Sequence, residues 1–181
     1  LALDGHYGHN AAMQMTLSCG LHLISKLRND AGLYIRYVGS DKRKKYGDKI
    51  DYHNLPDRFL QNCTVEDDIE TRIYQAELLN KEFAQALNVV IIAKTKLSTQ
   101  SCAHVVLFSS DLSLSAEKII AFYGLRFQIE FNFRDAKQFW GLEDFMTVSQ
   151  TAVSNSANLS LFMVNLTYLL LKPARQSDPL F

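Results

Sequence analysis

Four short runs constrain this chain more than anything else in it: Leu33-Tyr-Ile-Arg-Tyr-Val38, Thr71-Arg-Ile-Tyr-Gln-Ala-Glu-Leu78, Asn88-Val-Val-Ile-Ile-Ala-Lys94 and His104-Val-Val-Leu-Phe108. They are dense in β-branched and aromatic residues, which suit a pleated, half-buried surface. A polar, turn-rich stretch from Asp41 to Asp68 separates the first run from the second. The pattern predicts a β-rich, antiparallel segment over residues 33–110.

The flanks read differently. Leu1-Ala-Leu-Asp4 is a short apolar run ending in a carboxylate, followed by Gly5 and a turn-like Gly8-His9-Asn10. Good helix formers fill Ala11 to Cys19, Gly20 stands where a C-cap belongs, and Leu21 to Arg28 is strand-like. Strand, helix and strand in so short a span predict two neighbouring parallel strands, with Asp4 at a carboxyl end, where functional groups of such sheets gather. After Phe108, Ser115 is a plausible N-cap and Glu117 suits the positive end of a helix dipole. Alternation in Arg126 to Arg134 argues for a strand. Length, the cap, and the absence of Gly and Pro from Leu125 to Trp140 predict one helix over 116–140, weakened only by Gly124. Ala157 to Leu171 is apolar apart from Asn158, Ser160, Asn165 and Thr167; at 15 residues it is too short for a membrane span and reads as a core helix. The expected segments are therefore 1–32, 33–110, 111–172 and a tail, 173–181.

With 19 basic and 19 acidic residues the chain carries no global signature of a polyanion binder, so any basic footprint is local. One exists. Lys26 to Lys49 holds eight basic and three acidic residues, peaking at Lys42-Arg43-Lys44-Lys45. It is either a solvated hairpin tip or a phosphate-contacting patch, with Tyr34, Tyr37 and Tyr46 interleaved as stacking platforms. Cys19, Cys63 and Cys102 fit no metal-ligand spacing and read as reduced thiols of a cytosolic protein. His6 and His9 lie near Asp4, but no suitably spaced Cys joins them for zinc. The opening residues carry no initiator Met and no signal-peptide pattern, and suggest a start inside a strand, as in a fragment.

On one unbroken helix, Tyr123, Arg126, Glu130 and Lys137 lie within an arc of about 60°. Ile120, Phe122, Leu125, Phe127, Ile129, Phe131, Phe133 and Phe139 occupy nearly every other direction, which predicts a buried helix with one narrow ionic stripe. Two accounts of the stripe are open. Arg126 and Glu130 form an internal i,i+4 pair with Lys137 reaching solvent, or the stripe meets an outside partner.

The spacing Tyr123-x2-Arg126-x3-Glu130-x6-Lys137 resembles the Y-R-E-K signature of DDE transposases from a large class of bacterial insertion sequences. Phe133-Arg-Asp-Ala-Lys-Gln-Phe-Trp-Gly-Leu-Glu-Asp-Phe145 resembles the family's sequence through and after that helix, and Asp4 with Leu27-Arg28 resembles the region of its second catalytic aspartate. The resemblance implies an α/β fold: an RNase H-like core, incomplete at its N-terminus, with the β-rich segment inserted before the catalytic helix. It implies that Asp4 and Glu130 are the second and third catalytic acids and ligands of Mg²⁺, with Mn²⁺ as substitute. The first acid is expected upstream of Leu1, so the chain alone is expected to be inactive. Tyr123, Arg126 and Lys137 are expected to bind DNA, with Lys42, Arg43, Lys44 and Lys45 contributing. The implied activity is cleavage and strand transfer at insertion-sequence ends, on double-stranded DNA ends and target, by a possible homodimer, without a membrane, in the bacterial cytoplasm near the nucleoid. The competing expectations are a non-catalytic DNA-binding remnant and an RNase H-like nuclease without strand transfer.

Overall fold

Side chains alternate across a strand, so a strand buried on both faces must be apolar at consecutive positions. Val89-Val90-Ile91 meets that condition, and the sheet is built around it. The computed structural model describes residues 1–41, 43–146 and 148–177; Lys42 and the last four residues of the expected tail lie outside the described residues. In chain order the strands are β1 (Ile24–Leu27), β2 (Leu33–Arg36), β3 (Tyr46–Lys49), β4 (Leu60–Glu66), β5 (Ile69–Asn80), β6 (Leu87–Lys96) and β7 (Ser101–Ser109). They form one sheet in the order β1-β7-β6-β5-β2-β3, with β4 also on β5, and every pairing between them is antiparallel. The helices are α1 (Asn10–Ser18), α2 (Ala116–Gly124), α3 (Phe127–Trp140) and α4 (Gln150–Ser177).

Residues 1–125 form one unit and the chain from Arg126 onward a second. In the first, Tyr74, Leu78, Val89, Ile91, Val106 and Phe108 share one face of the sheet and pack with Ala12 and Met13 of α1. On the opposite face Ile24, Val90 and Leu107 pack against Ala116 and Ile119 of α2. Each fully buried Val, Leu or Phe is worth roughly 1.5–3 kcal/mol. Gly20 follows α1 at φ 71°, the left-handed conformation expected of a glycine just past a helix end.

Two side-chain amides tie α2 to the sheet. Gln75 Nε2 donates to Asn88 Oδ1 at 2.9 Å and to the Leu114 carbonyl at 2.8 Å, while its Oε1 accepts the Ala116 N–H at 3.1 Å. Asn88 Nδ2 donates to the carbonyls of Asp111 and Leu114 at 3.0 and 2.8 Å. The N-terminus of α2 is thus capped from β5, whereas Ser115, the expected cap, makes no side-chain capping bond. The Ser113 hydroxyl and amide hold the Asp111 carboxyl below the usual carboxylate range.

Several expectations need correction. The strand over 1–4 shrinks to a single parallel bridge, Ala2 to Ile24, closed by Leu3 N–H on the Ile24 carbonyl at 2.9 Å. The segment limits expected at 32/33 and 110/111 are not among these corrections; both lie inside the first unit, where β1 pairs with β7. The helix over 116–140 is two helices, α2 and α3. The break follows Leu125, whose N–H still donates to the Ala121 carbonyl at 3.2 Å, just after Gly124, the poorest helix former in the segment. β3 and β4 lie inside the stretch read as turn-rich; both are largely polar on both faces, so hydrophobic alternation could not announce them.

The second unit corrects the burial forecast. Of α3 only Ala136 is buried, while Phe127, Ile129, Phe131, Phe133 and Phe139 are exposed, at 47–64%. Ala136, Leu142 and Val164 make a small core with Trp140, Phe145, Ala157 and Leu161. A pair of helices can cover only one side of each. In the expected core helix, now within α4, Ser160 and Val164 are buried but Leu159, Phe162, Leu169 and Leu170 are exposed. Among the described residues no helix is long and apolar enough to cross a membrane.

The amide clamp leads to a stability prediction. Gln75→Ala strands the Ala116 N–H and part of the Leu114 carbonyl, and should lower unfolding free energy by about 1–3 kcal/mol. Urea denaturation checks this; a loss below about 0.5 kcal/mol would mean the clamp is dispensable.

Candidate functional site

Asp4 stands where the 3-10 turn Gly5–Tyr7 begins, and its carboxylate accepts the His6 N–H at 3.0 Å. Its carbonyl accepts the Ser25 hydroxyl of β1 at 2.8 Å. Gly8 fixes the same turn from the other end: a Cβ there would lie 2.2 Å from the Lys26 carbonyl oxygen, so only glycine lets the chain pass. Asp4 is therefore an exposed carboxylate on an anchored turn. His6 packs edge-on to Tyr7, and His9 Nδ1 accepts the Ala12 N–H at 3.3 Å as the cap of α1. Tyr123 belongs to α2 in this first unit, packed at the edge of its apolar cluster.

The second unit brings Arg126, Glu130 and Lys137 together. Arg126 directly precedes α3, and Glu130 and Lys137, seven residues apart on it, lie within about 20° of each other around its axis. Arg126 Nη1 donates to Glu130 Oε1 at 3.0 Å; the Arg126 side chain is 16% exposed and that of Glu130 60%. The Arg126 guanidinium also lies 4.6 Å from the Phe127 ring centroid. Lys137 pairs with Glu143, a residue with φ 88° in the connection after α3. Tyr123 and these three residues thus stand on two separate helices, α2 and α3, in place of the one unbroken helix expected. None of the three lines the pocket of about 560 Å³ that opens between the end of α3 and α4, where Trp140, Asp144, Phe145, Ser160 and Met163 are among the lining residues.

The basic patch is built on the β2–β3 hairpin. Lys44 lies over the Tyr37 ring and Lys45 over the Tyr46 ring, each 5.6 Å from the centroid. Tyr34 and Tyr46 meet edge to face at 5.4 Å. Arg43 is highly exposed and pairs with Asp41 at 3.5 Å. Lys81, from the turn after β5, joins this group over Tyr34 at 5.0 Å and Tyr46 at 5.9 Å. Nothing local in the sequence announces Lys81, since the pairing of β2 with β5 alone brings it there. A second pocket in this unit, about 680 Å³, is floored by Tyr52 stacked on His104 at 4.6 Å. Burial, helped by the Asp30 charge, pushes the Tyr52 hydroxyl up to about 12.

Carboxylate oxygens are the ligands Mg²⁺ prefers, so Asp4 and Glu130 suit that ion in donor chemistry. Among the described residues no group of three or more His, Cys, Asp or Glu side chains converges as metal ligands do.

The family model described as Transposase DDE domain matches residues 1–166, and the chain belongs to that family. Its members are enzymes of the polynucleotidyl transferase or endonuclease kind, which act on DNA and use divalent metal ions. No curated protein matches the chain.

The Gly8 contact can be tested directly. Gly8→Ala forces the Asp4 turn away from β1, an overpacking that should cost about 1–3 kcal/mol. Hydrogen exchange should show faster exchange at Leu3 and Ile24, whose amides close the Ala2–Ile24 bridge. Unchanged stability and exchange would show that the turn is free to shift.

Proposed function

We propose that this chain carries catalytic machinery of an insertion-sequence transposase of the Y-R-E-K class, which cleaves and rejoins phosphodiester bonds at the ends of its element. In this reading residues 1–32 belong to an RNase H-like core, 33–110 to an inserted β segment and 111–172 to the catalytic helical region. Asp4 and Glu130 act as two of the catalytic acids and as metal ligands. When bound, Mg²⁺ (or Mn²⁺ in its place) would activate the attacking hydroxyl and stabilise the leaving oxygen. Tyr123, Arg126 and Lys137 grip phosphates, Arg126 as a planar fork and Lys137 as a point charge. Lys42, Arg43, Lys44 and Lys45 add sequence-independent attraction, and two copies act together on the DNA in the cell's nucleoid.

The observation that carries this reading is an exposed Glu130 paired with Arg126, with Lys137 two turns further along the same side of α3. An Arg–Glu pair at i,i+4 with an exposed carboxylate contributes only about 0.3–0.5 kcal/mol, so stability gives little reason for it. A solvent-exposed carboxylate held by Arg126, with Lys137 on the same side of α3, suits a partner that is itself anionic and metal-bearing.

Glu130→Gln should therefore abolish divalent-metal-dependent cleavage of an element-end duplex by the active transposase. Its affinity for that duplex should hold, and its stability should stay within about 0.5 kcal/mol. Near-normal cleavage by the variant would remove Glu130 from the site.

Arg126→Ala and Lys137→Ala should each weaken duplex binding and flatten its dependence on salt, by about one unit of logarithmic slope for each phosphate no longer held. Neutralising Arg43, Lys44 and Lys45 together should flatten the slope in the same way and equally for unrelated duplexes. An unchanged slope would leave that patch as a solvated hairpin tip.

A further inference from the structure

The tip of the β4–β5 hairpin leaves a strand edge open, and its residues are arranged to pair with themselves. The turn, Asp67 and Asp68, has φ of 47° and 65°, as a two-residue type I′ hairpin requires, and Glu66 and Ile69 form the closing pair. The pair flanking such a turn exchanges hydrogen bonds, and the antiparallel ladder then alternates. Glu66, Thr64 and Asn62 consequently direct their backbone groups to β5, while Val65 and Cys63 direct theirs outward. Among the described residues no strand takes up the outer edge of β4, and every residue from Gln61 to Ile69 is exposed. Edge strands are usually blunted by Lys, Pro or inward-pointing charge. β4, Leu60-Gln-Asn-Cys-Thr-Val-Glu66, has no Lys or Pro, and its only charge is at the last residue.

We infer that this edge is an interface between two copies of the chain, joined by antiparallel pairing of β4 with β4 about a two-fold axis at Thr64. The register follows from which groups are available. Centring on Thr64 sets Cys63 opposite Val65 of the partner subunit on both sides of the axis, so all outward amides and carbonyls of these residues are used. Thr64 then faces its own copy in a non-hydrogen-bonded pair, a favourable cross-strand combination. Asn62 faces the partner subunit's Glu66, an amide opposite a carboxylate, and no like charges meet. Centring on Cys63 instead would call on Gln61, which falls where the β4–β5 register shifts. So short a contact falls well below the roughly 1,000 Å² expected of a stable interface. The dimer is therefore weak and forms at high protein concentration. The proposal draws on the function above only for two copies acting together.

The full chain, without DNA or metal, provides the test. Sedimentation should show a monomer–dimer equilibrium. Asn62→Lys, which sets an ammonium opposite the partner subunit's Glu66, should tighten it about threefold or more, and Asn62→Glu should loosen it comparably. With Cys19, Cys63 and Cys102 replaced by Ser, Thr64→Cys should give a covalent dimer on oxidation by diamide, because facing residues of such a pair lie within disulfide reach. A chain keeping only Cys63 should cross-link poorly, its partner thiol being diagonal and farther away. All these positions are exposed, so the fold tolerates the changes. A chain still monomeric at about 1 mM, equal responses to the two Asn62 substitutions, or cross-linking that favours Cys63 would overturn the proposal. Because no cleavage is measured, these outcomes stand apart from the success or failure of the catalytic reading.

Discussion

A slip of one residue between β5 and β6 would move every side chain of one strand to the wrong face, and here both faces are occupied. Val89 and Val90 are neighbours in sequence yet belong to clusters on opposite sides of the sheet, one under α1 and one under α2. Register is therefore over-determined in the central ladder β5–β6–β7, and everything else in the first unit is placed by it. β1 takes its position from β7, β2 from the end of β5, and α2 from the amides of Gln75 and Asn88 that project from β5 and β6. An amide that satisfies all its partners in a low-dielectric setting is stiff, because moving it strands several groups together.

How far the sequence announced this depended on where the driving force was local. Val89 to Ile92 and Val105 to Phe108 were legible as strands because consecutive apolar residues leave few alternatives. Gly20 was legible as a helix terminator because a left-handed φ needs glycine. β4 was not, since Thr64 and Asn62 obtain their hydrogen bonds from β5 without burying an apolar side chain. The parallel bridge at Ala2 was foreseen in direction but not in extent. The burial of α3 was misjudged for a clear reason: an apolar pattern on all sides states a preference for burial and does not supply the surface that satisfies it. Of the candidate site, the Arg126–Glu130 pair was legible from its i,i+4 spacing. Lys81 was invisible because its neighbours Tyr34 and Tyr46 lie far back in the chain.

The two acids are held by different means. Asp4 owes its place to backbone constraint: the turn it caps is pinned between Ser25 and the tight passage of Gly8 past Lys26. Glu130 owes its place to helix geometry and to Arg126, whose guanidinium is itself steadied against Phe127. A backbone-pinned carboxylate keeps its position when a side chain nearby changes. A helix-borne one follows its helix, and α3 is seated through Ala136, six residues further on, against Val164. Alterations in that small core should be felt at Glu130, while Asp4 responds mainly to its own turn.

The charge distribution bears on how such a protein meets a polyanion. With no net charge there is no long-range field to draw DNA in, and attraction must come from patches acting within a Debye length, about 8 Å at physiological salt. Lys44, Lys45 and Lys81 sit over tyrosine rings, which hold the ammonium groups near the surface without neutralising them, as a carboxylate partner would. Arg43 and Lys137, by contrast, are each already paired with an acid, Asp41 and Glu143. A phosphate can displace those carboxylates only by offering a better geometry, whereas among the described residues no carboxylate is paired with the ring-bound lysines. In the proposed reading the ring-bound lysines are thus suited to a first, loosely specific encounter, and the paired Arg43 and Lys137 to contacts that form only when the nucleic acid is correctly seated.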